Sequence, residues 1–218
     1  MAQPDAHAYE PAKGHGLAHD PFNAIIAPRP IGWVSTADAG GRVNLAPYSF
    51  FNAFAYRPPI IGFASWGRKD SVENAEATGE FVWNLATRDL AEKMNATSAE
   101  VRRGEDEFAL AGLERAESRL VAPPRVLASP VNFECRTTQV IRLKTSSGED
   151  MPNWMVFGEV VMVHIDRRLI EDGVYDTARA RPISRGGGPS AYYETLPGSR
   201  FDMVRPDVPA GLERGGSE

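Results

Sequence analysis

Two runs, at residues 131–143 and 155–165, are long, dense in β-branched and aromatic side chains, and joined through Ser146, Ser147 and Gly148. Such side chains pack well on a pleated surface, so the pair predicts two adjacent antiparallel strands of the length found in barrels. Shorter apolar runs at 22–27, 31–36, 60–65 and 80–85 add strands, and the Asp38–Gly41 turn predicts a hairpin between 31–36 and 42–46. Pro28 and Pro30 exclude a helix where the first two of these runs meet. Helices are fewer. Residues 71–78 stop at Gly79, residues 89–97 place Leu90 and Met94 on one face, and residues 106–111 add a turn or two. Many strands with a few short helices predict a mainly β protein, a β-barrel with short helical insertions, over a parallel α/β sheet. Residues 1–20 read as an N-terminal arm and 206–218 as a Pro- and Gly-rich tail, leaving 21–205 as the folded body.

Several function classes fall away on composition. Lys plus Arg number 24 against 29 Asp plus Glu, a net charge of −5, which argues against a nucleic-acid partner. No apolar run approaches the roughly 20 residues that cross a bilayer, and the first residues lack the basic start and apolar stretch of a secretory signal. The expectation is a cytoplasmic protein without a membrane partner. Cys135 is the single cysteine, set inside a strand run with no adjacent histidine, so it reads as a small core residue. His15 and His19 are four apart in a Gly-rich arm with no third ligand nearby, and no metal is expected. His164, at a strand end, is expected to pack against or bond to a neighbour. Asn95-Ala96-Thr97 matches a glycosylation sequon without a secretory context. A nucleophile elbow, a Walker loop and a Gly-x-Gly-x-x-Gly turn are all missing, and Gly186-Gly187-Gly188 has the wrong spacing.

Two stretches carry chemistry. In Asn44-Leu45-Ala46-Pro47-Tyr48-Ser49-Phe50-Phe51-Asn52, small and hydroxyl residues alternate with aromatics directly after a strand. Small side chains let a backbone approach a planar ring and the phenylalanines can wall it, although an ordinary strand-to-loop passage with both in the core is the first reading of such a composition. In Arg68-Lys69-Asp70-Ser71, two cations and a hydroxyl precede a helix, with Asp70 at or near its N-cap. This is either a phosphate seat or a solvated basic turn. Taken together, a ring site and a cationic helix start describe a phosphorylated planar cofactor. FMN suits that description better than pyridoxal phosphate, since no lysine lies in an obviously desolvated place.

In order along the chain, Pro28-Arg29-Pro30-Ile31-Gly32-Trp33-Val34-Ser35-Thr36, the 44–52 stretch, Arg57-Pro58-Pro59, Arg68-Lys69-Asp70-Ser71, Phe157-Gly158-Glu159-Val160-Val161 and Pro182-Ile183-Ser184-Arg185-Gly186-Gly187 resemble the flavin reductase-like, FMN-binding split-barrel family. The resemblance runs from about residue 20 to 206. It implies a Greek-key-like split barrel that dimerises with FMN near the subunit interface, and NADH or NADPH as the electron donor. Carried over by position, Ser35 and Thr36 lie beside the flavin, Ala46, Pro47, Tyr48, Ser49 and Phe50 contact its ring and ribityl chain, and Asn52 is close to the phosphate end. Arg68, Lys69 and Ser71 take the phosphate, and Arg185 reaches the cofactor from the C-terminal segment.

The leading functional expectation is an NAD(P)H-dependent flavin reductase in which flavin N5 receives the hydride, so that no protein residue is catalytic. The reduced flavin could then feed a separate monooxygenase. Two alternatives stay open: an FMN-carrying electron-transfer protein without direct NAD(P)H turnover, and a non-catalytic ligand-binding or sensor barrel.

Overall fold

The computed structural model describes residues 5–207, so most of the expected tail at 206–218 lies outside the described residues. At its centre is a sheet of seven strands: β1 (Gly32–Ala37), β2 (Val43–Tyr48), β3 (Phe51–Tyr56), β4 (Pro59–Trp66), β5 (Glu80–Asn84), β6 (Val131–Lys144) and β7 (Asp150–Ile165). Neighbours run antiparallel in the order β2-β1-β5-β6-β7-β4-β3. The mainly β architecture expected from the residue pattern is the one observed.

Closure follows from connectivity. The two edges of the sheet, β2 and β3, are consecutive in sequence with only Ser49 and Phe50 between them. From Tyr48 to Phe51 the chain can reach no more than about 11 Å, little over two strand spacings, so the sheet must curl until its edges meet. A contact across the split agrees: the Tyr48 ring, at the end of β2, rests 4.7 Å from that of Phe63 in β4.

The 44–52 stretch is therefore not one bend. Residues 44–48 lie in β2, Phe51 and Asn52 begin β3, and only Ser49 and Phe50 turn. Residues 22–27 also differ from expectation. Phe22–Ile25 form one helical turn, started by the Asp20 carboxylate accepting the Phe22 amide at 2.9 Å, and none of its residues is buried. Without a buried face that segment has no sheet to join. The strand pairing is taken up by Arg29–Pro30 instead, which bonds to Ile183–Arg185, itself paired with Tyr192–Glu194.

Apolar residues fill both faces of β1. Val34 enters the barrel interior with Phe63, Phe81, Cys135 and Val156, while Trp33 points the other way into a layer with Leu45, Met94, Phe108 and Val126. Alternate side chains of a strand face opposite ways, so a strand covered on both sides reads as unbroken apolar sequence. The covering layer includes α2 (Ala91–Ala96) and α3 (Glu107–Leu110), while α1 (Asp70–Thr78) connects β4 to β5 and packs on β1. Among the described residues no helix is long and apolar enough to cross a membrane.

Pairing between β6 and β7 shifts register three times, once at Phe157/Gly158. Such shifts bend a strand pair, as a closing barrel requires. At Gly158 a Cβ would lie 2.3 Å from Phe81 Cε1 and 3.2 Å from the Arg136 carbonyl oxygen. Phe81 is fully buried and has nowhere to retreat. Gly158→Ala is expected to cost about 1–3 kcal/mol through overpacking, read as a lower urea midpoint at unchanged slope. A midpoint equal to wild type would show that the core gives way freely.

Candidate functional site

β2 ends beside the first turn of α1, and buried polar groups tie the two together. Asn44 Nδ2 donates to Ser71 Oγ at 2.7 Å, and the buried Tyr48 hydroxyl lies near Ser71 and Ser65. Burial pushes the Tyr48 phenol above its ordinary value, so it stays neutral. Between β2 and the start of α1 lies a cleft of about 340 Å³, whose third wall is residues 97–101 with Arg103 and Glu107.

One end of the cleft suits an anion. Lys69 is the N-cap residue of α1, and its carbonyl accepts the amides of Val72 and Glu73 at 2.9 and 3.1 Å. No side chain caps the helix, so its first amides are left for solvent or a ligand. Asp70 and Glu73 in the first turn would repel an anion, but Arg103 bridges both, at 3.5 and 2.6 Å. Asp70, expected at or near the N-cap, is the first helical residue and is occupied by that bridge. Lys69 Nζ is exposed at the cleft, 3.8 Å from Glu100.

The opposite wall holds a carboxyl group. Asp106 caps α3 by accepting the Phe108 and Ala109 amides at 3.1 and 3.4 Å, and Phe108 is anchored in the outer layer. Glu107 between them is turned inward, 7% exposed, with Oε2 accepting the Leu45 amide at 3.1 Å. Burial is the largest influence and pushes its carboxyl above the ordinary carboxylate range. Hydrogen bonds from the Glu107 and Leu45 amides oppose that, while the charges of Asp70 and Asp106 reinforce it. A proton bound more tightly in the folded chain makes stability fall as pH rises from the ordinary carboxylate range through the raised native value. Glu107→Gln keeps an acceptor for Leu45 and is expected to flatten that decline, measured as Tm between about pH 4 and pH 8. An undiminished slope in the variant would assign it to another group.

The structure distributes the expected site residues unevenly. Ala46, Pro47, Tyr48 and Lys69 line the cleft. Ser49 and Phe50 sit at the split, where the Arg29 guanidinium lies 5.5 Å from the Phe50 ring and donates to the Ser49 carbonyl at 3.1 Å. Phe51 is partly buried and stacks on Trp83 at 5.7 Å, packed against the core. Asn52 is on the exposed face of β3, its side chain accepting the Ala53 amide. Ser35 and Thr36 are wholly buried: Ser35 Oγ donates to the Pro124 carbonyl and Thr36 Oγ1 accepts from Asn74 Nδ2 at 3.1 Å. Ser71 is buried on Asn44, as described. Arg68 turns away from the cleft to pair with Glu76, over the Trp154 ring at 5.1 Å. Arg185 donates to the carbonyls of Gly188, Pro189 and Ala191, holding its own loop.

Backbone direction also matters. Successive amides of an antiparallel edge strand alternate, and Leu45 turns its N–H outward to Glu107, so those of Ala46 and Tyr48 face β1. Pro47 has no amide hydrogen. This edge of the cleft is thus a flat surface with carbonyl acceptors, and the donors lie at the α1 end.

The third wall is what sequence inspection overlooked. Its pieces were visible, as Asn95-Ala96-Thr97 and the short helix after Asp106, but neither carries a sign that it faces β2. The connection is made by hydrogen bonds between residues far apart in sequence. Trp33 Nε1 donates to Thr97 Oγ1 at 3.0 Å across 64 positions, and Leu45 to Glu107 across 62.

Comparison with known proteins places this geometry among relatives. A family model described as a flavin reductase like domain matches residues 26–184. The uncharacterized protein YwrF of Bacillus subtilis is 34% identical over 191 residues, covering 85% of this chain and 91% of its own. Nitrilotriacetate monooxygenase component B from Bacillus cereus superposes with a TM-score of 0.79 at 28% identity, covering 93% of this chain and 98% of that one. Pseudomonas fluorescens 2-nitrobenzoate 2-nitroreductase NbaA superposes at 0.70 and 28% identity, covering 89% and 92%. The flavoredoxin of Desulfovibrio vulgaris, at 19% identity over 85% of this chain and 93% of its own, shares the fold with a TM-score of 0.68.

Proposed function

Because the chain belongs to the flavin reductase-like domain family, we propose that its cleft binds FMN and that it transfers hydride from NADH or NADPH to that flavin. The observation that carries the proposal is a single cleft pairing the flat β2 surface at Ala46 and Pro47 with an uncapped helix start bearing Lys69. The donor set suits a planar ring with one phosphate: the ring needs a smooth wall, and the phosphate needs a cation and free amides. The flavin, when bound, supplies the hydride chemistry at N5.

The protein's own residues then have separable tasks. Lys69 and the first amides of α1 would hold the phosphate, while Arg103 neutralises the acidic first turn beneath it. Ala46 and Pro47 present a wall without bulky side chains, and Tyr48 braces it from behind against Phe63. Glu107, whose carboxyl is pushed above the ordinary range by burial, would face the edge of the ring. Exposed Phe54, Tyr56 and Trp66 on β3 and β4 support a homodimer, with this face against its copy. The likeness to a monooxygenase component B supports delivery of reduced flavin to a separate monooxygenase.

The test is a titration of the purified chain with FMN, FAD and riboflavin, followed by nicotinamide oxidation at 340 nm with each flavin. FMN binding with NADH- or NADPH-dependent turnover is the expected result. Binding without turnover would move the chain to electron transfer, and no uptake of any flavin would overturn the proposal. Light scattering on the same sample reads the dimer.

A further inference from the structure

A second cleft, of about 570 Å³, opens where β6 begins and β7 ends, and shares no lining residue with the first. Behind it lies Glu134, inaccessible to solvent, accepting the amides of Arg119 and Leu120 at 2.8 and 2.6 Å and Nε2 of His164 at 2.6 Å. Burial pushes the Glu134 carboxyl up, but the Arg119 amide, the His164 ring and the Leu120 amide together hold it below its ordinary value. An ionised carboxylate only accepts hydrogen bonds, so His164 carries its proton on Nε2. The ring lines the cleft with its side chain 16% exposed, and Nδ1 has no partner among the described residues.

Two guanidinium groups join it. Arg125 is half-buried and held by neutral acceptors, the Glu117 carbonyl at 2.9 and 3.1 Å and Asn132 Oδ1 at 3.3 Å. Among the described residues neither Arg125 nor Arg119 forms a salt bridge. The nearby Arg168 is already paired with Asp166. Along the same cleft Leu127, Val163 and Ile165 are exposed. The space is far larger than an inorganic ion needs and falls within the range of small-molecule sites.

We propose that this cleft is a second ligand site for an organic anion, its carboxylate or phosphate head held by Arg119, Arg125 and His164 and its apolar body against Leu127, Val163 and Ile165. Glu134 is the positioning residue that orients the imidazole. Nδ1 faces the cleft without a partner among the described residues and donates to an anion in the imidazolium form. The charged groups facing the ring are Glu134 from β6, Arg119 and Arg125 from the preceding loop, and Asp166 and Arg168 beyond β7.

The experiment titrates the full chain, with and without FMN, with benzoate, phenyl phosphate and the neutral benzyl alcohol. Calorimetry gives affinity, and long-range 1H–15N spectra read the His164 ring, assigned by its loss in His164→Gln. The expected result is a saturable change of the Nδ1 resonance with at least one anion, the tighter one identifying the head group. Arg119→Ala, at an exposed side chain, should leave Tm unchanged and weaken binding roughly tenfold, as the loss of one charge-assisted hydrogen bond does. No saturable change at His164 with either anion would overturn the proposal. So would benzyl alcohol binding as tightly as the anions, or unchanged affinity in both Arg119→Ala and Arg125→Gln.

Discussion

Replacing Lys69 by alanine is expected to weaken FMN binding by roughly ten- to a hundredfold, the loss of one hydrogen bond between charged groups. Lys69 is the cleft's cation at the helix start, and its only ion pair among the described residues is a loose one with Glu100 at 3.8 Å. Exchanging that contact for a phosphate oxygen gives up little. Arg68, its neighbour in sequence, pairs with Glu76 and lies over Trp154. Arg68→Ala should therefore change FMN affinity by less than about threefold, within what an exposed charge contributes. Riboflavin lacks the phosphate, so its affinity should be the same in wild type and Lys69→Ala. Fluorescence titration with both flavins separates the cases: equal losses for FMN and riboflavin would mean the lysine acts on the ring or the fold.

The largest effect on stability is expected at Glu134. Its carboxylate is inaccessible and answers three donors, so Glu134→Ala leaves the Arg119 and Leu120 amides and the His164 ring without their acceptor. Removing one side of a buried, hydrogen-bonded pair costs about 3–5 kcal/mol, which for a chain of this size lowers Tm by roughly 6–20 °C. The pH dependence has a definite sign. Because the folded carboxyl lies below its ordinary value, its contribution is complete above the ordinary carboxylate range and is lost as pH falls through the native value. The gap between wild type and variant should accordingly be widest near neutrality and close on acidification. A constant gap, or one below about 1 kcal/mol, would mean that water replaces the carboxylate at little cost.

Local pattern carried much of the architecture. The β6–β7 pair announced itself because long β-branched runs joined by a Ser-Ser-Gly turn have few other ways to bury their side chains. Helix α1 was legible from Gly79, whose φ of 73° closes it in the left-handed region. The stretch at 44–52 and the turn at 68–71 stood out because small, aromatic and cationic residues are unusual in those combinations. Where local pattern failed, the deciding partner was remote. Residues 22–27 are apolar enough for a strand but gain no edge to pair with, and β3 was hidden because its residues are mostly exposed and lack a strong alternating pattern.

From its own residues the chain dictates an antiparallel, strand-rich body and the chemical types available to bind a ring and a phosphate. Both depend on neighbours in sequence, through strand period, turn residues and helix stops. Which edges meet at Ser49 and Phe50, which of two adjacent cations faces the cleft, and that Glu107 comes under Leu45 were settled by packing. Those outcomes rest on contacts spanning tens of residues, and no local propensity encodes which distant group will satisfy a buried donor.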